Sequence, residues 1–419
     1  MRIERLGDLG SAPAVLRSIA SAAIRCGLAP PAALIGEWFG CGAVIAPSLR
    51  ASAVGADEVF DVPPGSADAG TVGGGWFGYL SYPDAGVDGR PPRIPEAAGG
   101  WTDCVLRQDS GGQWWYECLS GAPISTWVSD ALRNPLPPSG FDVTWDHADR
   151  DAHRRGVLEC LEAIAAGEVY QACVCTQFAG RLDGASVDFF VDAVERTSPA
   201  RAAYVAGAWG AVASLSPELF LRRAGESVTS SPIKGTLPRT ADPAALRASV
   251  KDVAENIMIV DLVRNDLSRV AMTGTVTVPE LLAVRPAPGV WHLVSTVSAR
   301  VPVDVPMAAL LDAAFPPASV TGTPKTRARQ LLSGWELRRR GVYCGTVGLA
   351  SPIAGCELNV AIRTVEFGAD ASAVLGVGGG ITADSDPDRE WDECLDKAAP
   401  IIGIADSAPP VSPPAVPAR

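Results

Sequence analysis

The feature that most constrains this chain is a repeated one. Short runs of β-forming residues, closed by glycine or proline, alternate with segments of helical period, and no clear linker divides them. The runs VYQACVCTQFAGRL, TGTVTVPELLAV, VWHLVSTVSARV, CGTVGLAS, ELNVAIRTVEF and SAVLGVGGG read as strands. Over Asp149–Ala166, Val157, Leu158, Leu161, Ile164 and Ala165 recur at helical spacing until Gly167 stops the run. Further helices are expected over Asp188–Thr197, from Asp242 through Val270, and over Pro306–Ala314, Lys325–Arg340 and about Pro387–Ala399. Antiparallel-looking strands interrupted by helices predict an α+β fold around one large sheet core.

Residues 1–145 are rich in Gly, Ala and Pro, and AALIGEWFGCGAVIA, GGWFGYLSY and QWWYECL read as strands and turns, hard to assign to helix. The chain therefore divides into a strand-rich N-terminal part (1–145), a main region (146–402) and a Pro/Ala/Ser-rich tail (403–419) expected to be disordered. A net charge of −12 argues against nucleic acid as a partner, because phosphate neutralisation needs a basic face. A small anion in a local basic pocket remains open. The apolar run after Pro13 is broken by Arg17 and Arg25, so neither a signal peptide nor a membrane span is expected. Ten cysteines without a CxxC pair fit neither a zinc site nor a disulfide framework, which points to reduced thiols and the cytoplasm. Cys173 and Cys175 would share one strand face.

The stretch SSPIKGTLPRT (Ser230–Thr240) places Lys234 among Pro232, Gly235 and Pro238 in what reads as a turn-rich segment. Lys234 is either a solvated loop charge or a positioned nucleophile or cation. Asp252 and Glu255 lie three apart on one expected helix, Glu390 and Glu393 three apart on another. Each pair projects to one side, and four carboxylates meeting across a site would suit Mg²⁺; a solvated helix face is the alternative for each pair. Gly376–Gly380 (GVGGG) can offer bare backbone N–H groups to a carboxylate, and VTGTPK sets Lys325 at a helix start, a natural anion site. Arg363 falls in AIRTV, read as strand, where a buried guanidinium would need a carboxylate partner. Lys397, one turn beyond Glu393, could pair with it, and His292 is either a core imidazole or a functional one.

SPELFL, SPIKGT, AENIMIVDLVRNDLSRV, HLVSTV, SVTGTPK, YCGTVG, LNVAIRT, GGGI and ECLDKA follow in order over about residues 150 to 400. Together they resemble the chorismate-binding family, which includes anthranilate, aminodeoxychorismate, isochorismate and salicylate synthases. Residues 1–145 resemble it weakly, chiefly through GWFGYL. The resemblance implies an anthranilate synthase component I-like α+β fold of two intertwined halves, stacked antiparallel sheets and outer helices. It also implies a Mg²⁺-dependent site for chorismate. Glu255 and Glu393 then match the principal metal ligands with Glu390 in support, while Asp252 stands where one branch often has Glu. Arg363 and Tyr343 match residues that hold the enolpyruvyl side chain. Gly378, Gly379, Gly380 and Lys397 match those around the ring carboxylate, and Thr236 and His292 those lining the ring pocket.

Three positions separate the branches. Gln171 stands where water-using relatives carry a lysine base, and a neutral amide cannot serve as that base, which favours ammonia as the nucleophile. Glu218 matches the general acid for the departing hydroxyl. Lys234 stands where anthranilate synthases commonly have alanine and aminodeoxychorismate synthases a lysine. The resemblance thus implies amination of chorismate to 4-amino-4-deoxychorismate for 4-aminobenzoate and folate synthesis, with Lys234 as a covalent nucleophile. No nucleophile-elbow cysteine is present, so ammonia is expected from a separate glutamine amidotransferase subunit. Two alternatives stay open: anthranilate formation, and a catalytically silent subunit that binds an aromatic acid. Leu237, Pro317–Ala318 and Trp291 depart from the usual pattern, and Thr197–Tyr204 lacks the Pro-Tyr-Met of tryptophan-inhibited relatives, against classical feedback.

Overall fold

The computed structural model describes residues 1–63, 65, 70–84, 87–135, 139–404 and 406–407. Two antiparallel sheets carry the molecule. The larger runs, in spatial order, Arg2–Gly7, Trp114–Cys118, Cys104–Gln108, Cys41–Ala46, Ala32–Trp38, Arg201–Gly207, Gly210–Ser216, Thr364–Gly368, Ser372–Ile381, Gln171–Gly184, Phe141–Trp145 and Asp406–Ser407, with Gly322–Thr323 beside Gln171–Gly184. The second runs Ile233–Pro238, Val290–Arg300, Ser227–Ser231, Leu219–Ala224, Gly355–Asn359, Thr346–Ser351, Gly75–Leu80, Ala97–Thr102 and Ser52–Ala53, with Thr277–Ala287 beside Val290–Arg300.

The inner faces of the sheets share one core: Leu34, Val44, Val205 and Val212 of the first meet Phe77, Tyr79, Val347 and Leu349 of the second. Each such fully buried side chain contributes about 1.5–3 kcal/mol of transfer free energy. Helices cover the outer faces. Ala12–Arg25, Thr126–Arg133 and Ser186–Thr197 pack on the larger sheet, and Val250–Ser268 and Met307–Ala314 on the smaller. This is the stacked arrangement with outer helices that the family resemblance implies, whereas the strand pattern alone predicts one large sheet core where two sheets are present.

Several local expectations need correction. Among the described residues of the first 145, two helices are present, Ala12–Arg25 and Thr126–Arg133. Ser11 caps the first by accepting from the Ala14 N–H, and Pro13 fits its first turn. The boundary at 145/146 separates no unit: Gly75–Leu80 pairs with Thr346–Ser351, Ala32–Trp38 with Arg201–Gly207, and Phe141–Trp145 with Gln171–Gly184. The helix expected from Asp242 through Val270 is two, Ala244–Ala248 and Val250–Ser268, divided at Ser249, which accepts from the Asp252 N–H as N-cap. The helix from Lys325 ends at Trp335. At the start of the expected tail, Ile404 is buried and Asp406–Ser407 pair with Phe141–Asp142; residues 405 and 408–419 lie outside the described residues.

Candidate active site

The site forms where the chain crosses twice between the sheets. Ser216–Leu219 leads from the larger sheet to the smaller, and Val360–Arg363 leads back. The crossovers hold each other: the Val360 N–H donates to the Glu218 carbonyl at 3.0 Å, and the Ser216 hydroxyl to the Val360 carbonyl at 2.5 Å. Arg363 therefore sits between strands, not within one, at a φ of +51°. No carboxylate pairs with it among the described residues, contrary to expectation. Burial, with nothing to offset it, pushes its guanidinium below the ordinary value. An arginine in that condition is ready for an external anion.

Lys234 is carried by an edge strand, where a turn was expected. Ile233–Pro238 pairs with Val290–Arg300, Ile233 opposite Val294 and Thr236 opposite His292. Three steps on one strand against two on the other make a bulge that holds Lys234 and Gly235. Gly235 takes a φ of +87°, and a Cβ there would stand 3.0 Å from Asp252 Cβ, so the bulge presses against the Val250–Ser268 helix.

Across from the bulge runs Ser372–Ile381, antiparallel to Gln171–Gly184 with Gly380 opposite Cys173 and Gly378 opposite Cys175. Its glycines leave a groove. A Cβ on Gly380 would collide with Gln171 Nε2 and stand 3.3 Å from Lys234 Nζ; one on Gly378 would stand 2.6 Å from Cys175 Sγ; one on Gly376 would collide with the Tyr343 ring. Tyr343, Cys175, Gln171 and Lys234 thus follow one another along a single strand face. Gly379 points to the other face, where a Cβ would lie 3.0 Å from Glu390 Oε2 and 3.9 Å from both Glu393 Oε1 and Lys397 Nζ. Gln171 is buried, and its Oε1 has no hydrogen-bond partner.

Glu218 lies behind Lys234. Its backbone N–H donates to Ser216 Oγ at 3.1 Å, and its Oε1 faces the Ile233 N–H at 3.4 Å. Burial raises its carboxyl to about 7, against the opposing pull of Ser319, Lys234 and the Ile233 amide, so near neutrality it is about half protonated. His292 Nδ1 and Thr236 Oγ1 lie 2.9 Å apart; burial first, then the Arg363 charge, lower the imidazole to about 4, and it is neutral at pH 7. Thr236 is exposed at the rim.

The two acidic helices do meet. Glu255 and Glu390 are buried, and Lys251 Nζ stands 4.0 Å from the first and 3.6 Å from the second. Burial raises Glu255 above its ordinary value, opposed by Lys234 and Lys251 and supported by Asp252 and Glu393. Glu393 is also pushed up by burial, yet Lys397 at 2.7 Å, together with Lys251 and Lys234, outweighs this and leaves it lowered. Lys397 also donates to the Gly378 carbonyl at 2.8 Å. Asp252 is half-buried beside Gly235.

Among the described residues no three of these acids stand close enough to enclose an ion by themselves. The donor set still fits Mg²⁺, which takes one or two carboxylates and completes its shell with waters and substrate oxygens. Glu255 Oε1 and Glu390 Oε2 are buried without a hydrogen-bond partner, the condition a bound cation would relieve. The anion site expected at VTGTPK is not available: Lys325 Nζ donates to Asp266 at 2.6 Å and to the carbonyls of Ala314 and Pro316 at 2.8 and 2.9 Å.

Lys251 escaped the sequence reading because its partner Glu390 is remote in the chain. Cys175, read there only as sharing a strand face with Cys173, also lines the glycine groove. A cavity of about 620 Å³ opens elsewhere, among Tyr82, Asp84, Arg329 and Glu336. It holds none of these groups, and convergent titratable groups mark reactive chemistry better than volume does.

The chorismate binding enzyme family matches residues 48–403. The aminodeoxychorismate synthase component 1 of Escherichia coli K12 is 37% identical over 276 residues, 64% of this chain and 61% of that protein. The aminodeoxychorismate synthase of Streptomyces pristinaespiralis is 37% identical over 361 residues, 77% of this chain and 50% of that protein. The chain thus spans half to three-fifths of the length of these relatives. The crystal structure of anthranilate synthase component I from Streptococcus pneumoniae TIGR4 superposes with a TM-score of 0.71 at 23% identity, covering 89% of this chain and 90% of that one. That likeness is one of fold.

Proposed function

This chain belongs to the family of chorismate-binding enzymes, and we propose that it aminates chorismate to 4-amino-4-deoxychorismate. The observation that carries the reading is the meeting of Lys234 Nζ with the buried amide of Gln171 over Gly380, with the carboxyl of Glu218 behind it. A lysine base at position 171 would favour water as nucleophile; a glutamine there does not.

In this proposal Arg363 and Tyr343 hold the enolpyruvyl group, while the Gly378–Gly380 backbone and Lys397 hold the ring carboxylate. The amine of Lys234, once neutral, attacks ring carbon 2, both ring double bonds shift around carbons 1, 6 and 5, and the bond from carbon 4 to its hydroxyl breaks. Glu218 gives that oxygen its proton, so water leaves, and the carboxylate then takes the proton released by the new C–N bond. Ammonia attacks carbon 4, both double bonds shift back, and the C–N bond to Lys234 breaks as Glu218 gives the departing nitrogen its proton and takes one from the new ammonium. Net, hydroxyl is exchanged for amino with retention. Asp252, Glu255, Glu390 and Glu393 are the residues that would hold Mg²⁺. When bound, the ion supplies positive charge that anchors the substrate carboxylate and offsets the negative charge of the site.

Ammonia is proposed to come from a separate glutamine amidotransferase subunit, with the product destined for 4-aminobenzoate and folate. All ten cysteines are free thiols, which supports a cytoplasmic setting. No helix among the described residues is long and apolar enough to cross a membrane. The test is to incubate the protein with chorismate, MgCl₂ and ammonium and resolve the products. 4-Amino-4-deoxychorismate supports the reading, anthranilate with pyruvate replaces it by the alternative branch, and unconsumed chorismate rejects catalysis.

A further inference from the structure

The lysines around the acidic helices are held differently. Lys397 is fixed by Glu393 Oε1 at 2.7 Å and the Gly378 carbonyl at 2.8 Å. Lys251 Nζ makes no hydrogen bond among the described residues and stands 3.6 Å from Glu390 Oε1 and 4.0 Å from Glu255 Oε1. Its side chain is 47% exposed, against 5% for Glu390 and 11% for Glu255. Glu390 is held independently, by the Ser385 hydroxyl at 2.6 Å. Glu255 Oε1 and Glu390 Oε2 lack hydrogen-bond partners. One loosely held ammonium therefore lies between two buried, under-satisfied carboxylates from different helices, of which Glu390 is independently fixed.

We propose that Lys251 is a displaceable resident cation, a positioning residue that balances Glu255 and Glu390 in the metal-free protein and turns out to solvent when Mg²⁺ enters. The inference rests on the metal reading above. Two buried carboxylates facing each other repel, and each lacks the hydration that would steady it. A single positive charge at 3.6–4.0 Å relieves this in part. A dication brings twice the charge at shorter range, and the flexible, half-exposed lysine stem can leave at small cost. Lys251 then stabilises the metal-free state and weakens metal binding by the same linkage.

The experiment uses the full chain, as Lys251→Met and, to retain a polar stem should the first not fold, Lys251→Gln. Each is titrated with MgCl₂ alone by calorimetry and melted in EDTA and in saturating MgCl₂. We expect the Mg²⁺ Kd to tighten by about tenfold or more, with melting below wild type in EDTA and not below it in MgCl₂. Unchanged or weaker Mg²⁺ affinity overturns the inference and leaves the metal reading standing. Tighter binding with unaltered melting in EDTA reduces Lys251 to a distant charge and overturns it as well. Failure of all three proteins to bind Mg²⁺ overturns the inference together with the metal reading.

Discussion

Glu218 and Lys234 are joined through one backbone amide: the N–H of Ile233, next to Lys234, faces Glu218 Oε1 at 3.4 Å. The strand that carries Lys234 therefore also faces the Glu218 carboxyl through its own backbone.

The first prediction concerns pH. Glu218 must be protonated to act as acid, and its carboxyl is raised from 4.5 to about 7, so kcat should fall about tenfold per pH unit above that value. Stability follows the same group. The folded state keeps a proton that the unfolded chain loses near pH 4.5, so the contribution is full below that pH and disappears as pH rises to about 7. Glu218→Gln should flatten this dependence, stabilise the protein at pH 8 by about 2–3 kcal/mol, and lower kcat by about 10²–10⁴. Thermal melting from pH 4 to 8 and a pH–rate profile check both.

Gly380→Ala tests the groove. The added Cβ would meet Gln171 Nε2 and Lys234 Nζ, so kcat should drop by about a hundredfold or more, while far-ultraviolet circular dichroism stays unchanged. Gly379→Ala, whose Cβ would face Glu390 Oε2 on the opposite strand face, should instead raise the Mg²⁺ requirement.

The site was legible in parts. Residues three apart on one helix predict shared faces, and Glu255 with Glu390 and Glu393 do converge. Their meeting depends on sheet topology, which local periodicity does not encode. AIRTV looks like strand because β-branched residues surround Arg363, yet the chain changes sheets there in a left-handed conformation. The helix Ala12–Arg25 was obscured by the Gly and Pro around it, although its own alanines favour helix; Arg17, which interrupts the apolar run, pairs with Asp192 at 2.8 Å. Lys325 and Lys234 sit in similar Pro/Gly-rich surroundings, and only the fold separates a lysine clamped by Asp266 and two carbonyls from one that faces the Gly380 groove.

That contrast is testable. Lys325→Met should cost about 3–5 kcal/mol, because it strands buried Asp266 and two carbonyls. Lys234→Met should leave the unfolding free energy from chemical denaturation within about 0.5 kcal/mol of wild type and abolish amination.

Metal removal gives a further prediction. EDTA should stop turnover and excess MgCl₂ restore it, and Glu255→Gln should weaken Mg²⁺ binding by about 10–100-fold, measured by calorimetry without substrate.

The most direct measurement withholds ammonium. Wild-type protein given chorismate and MgCl₂ alone should accumulate a covalent adduct, chorismate less one water, that peptide mass mapping assigns to Lys234 and that ammonium discharges as 4-amino-4-deoxychorismate. Full 4-amination by Lys234→Ala, with no adduct on the wild-type protein, would contradict the account.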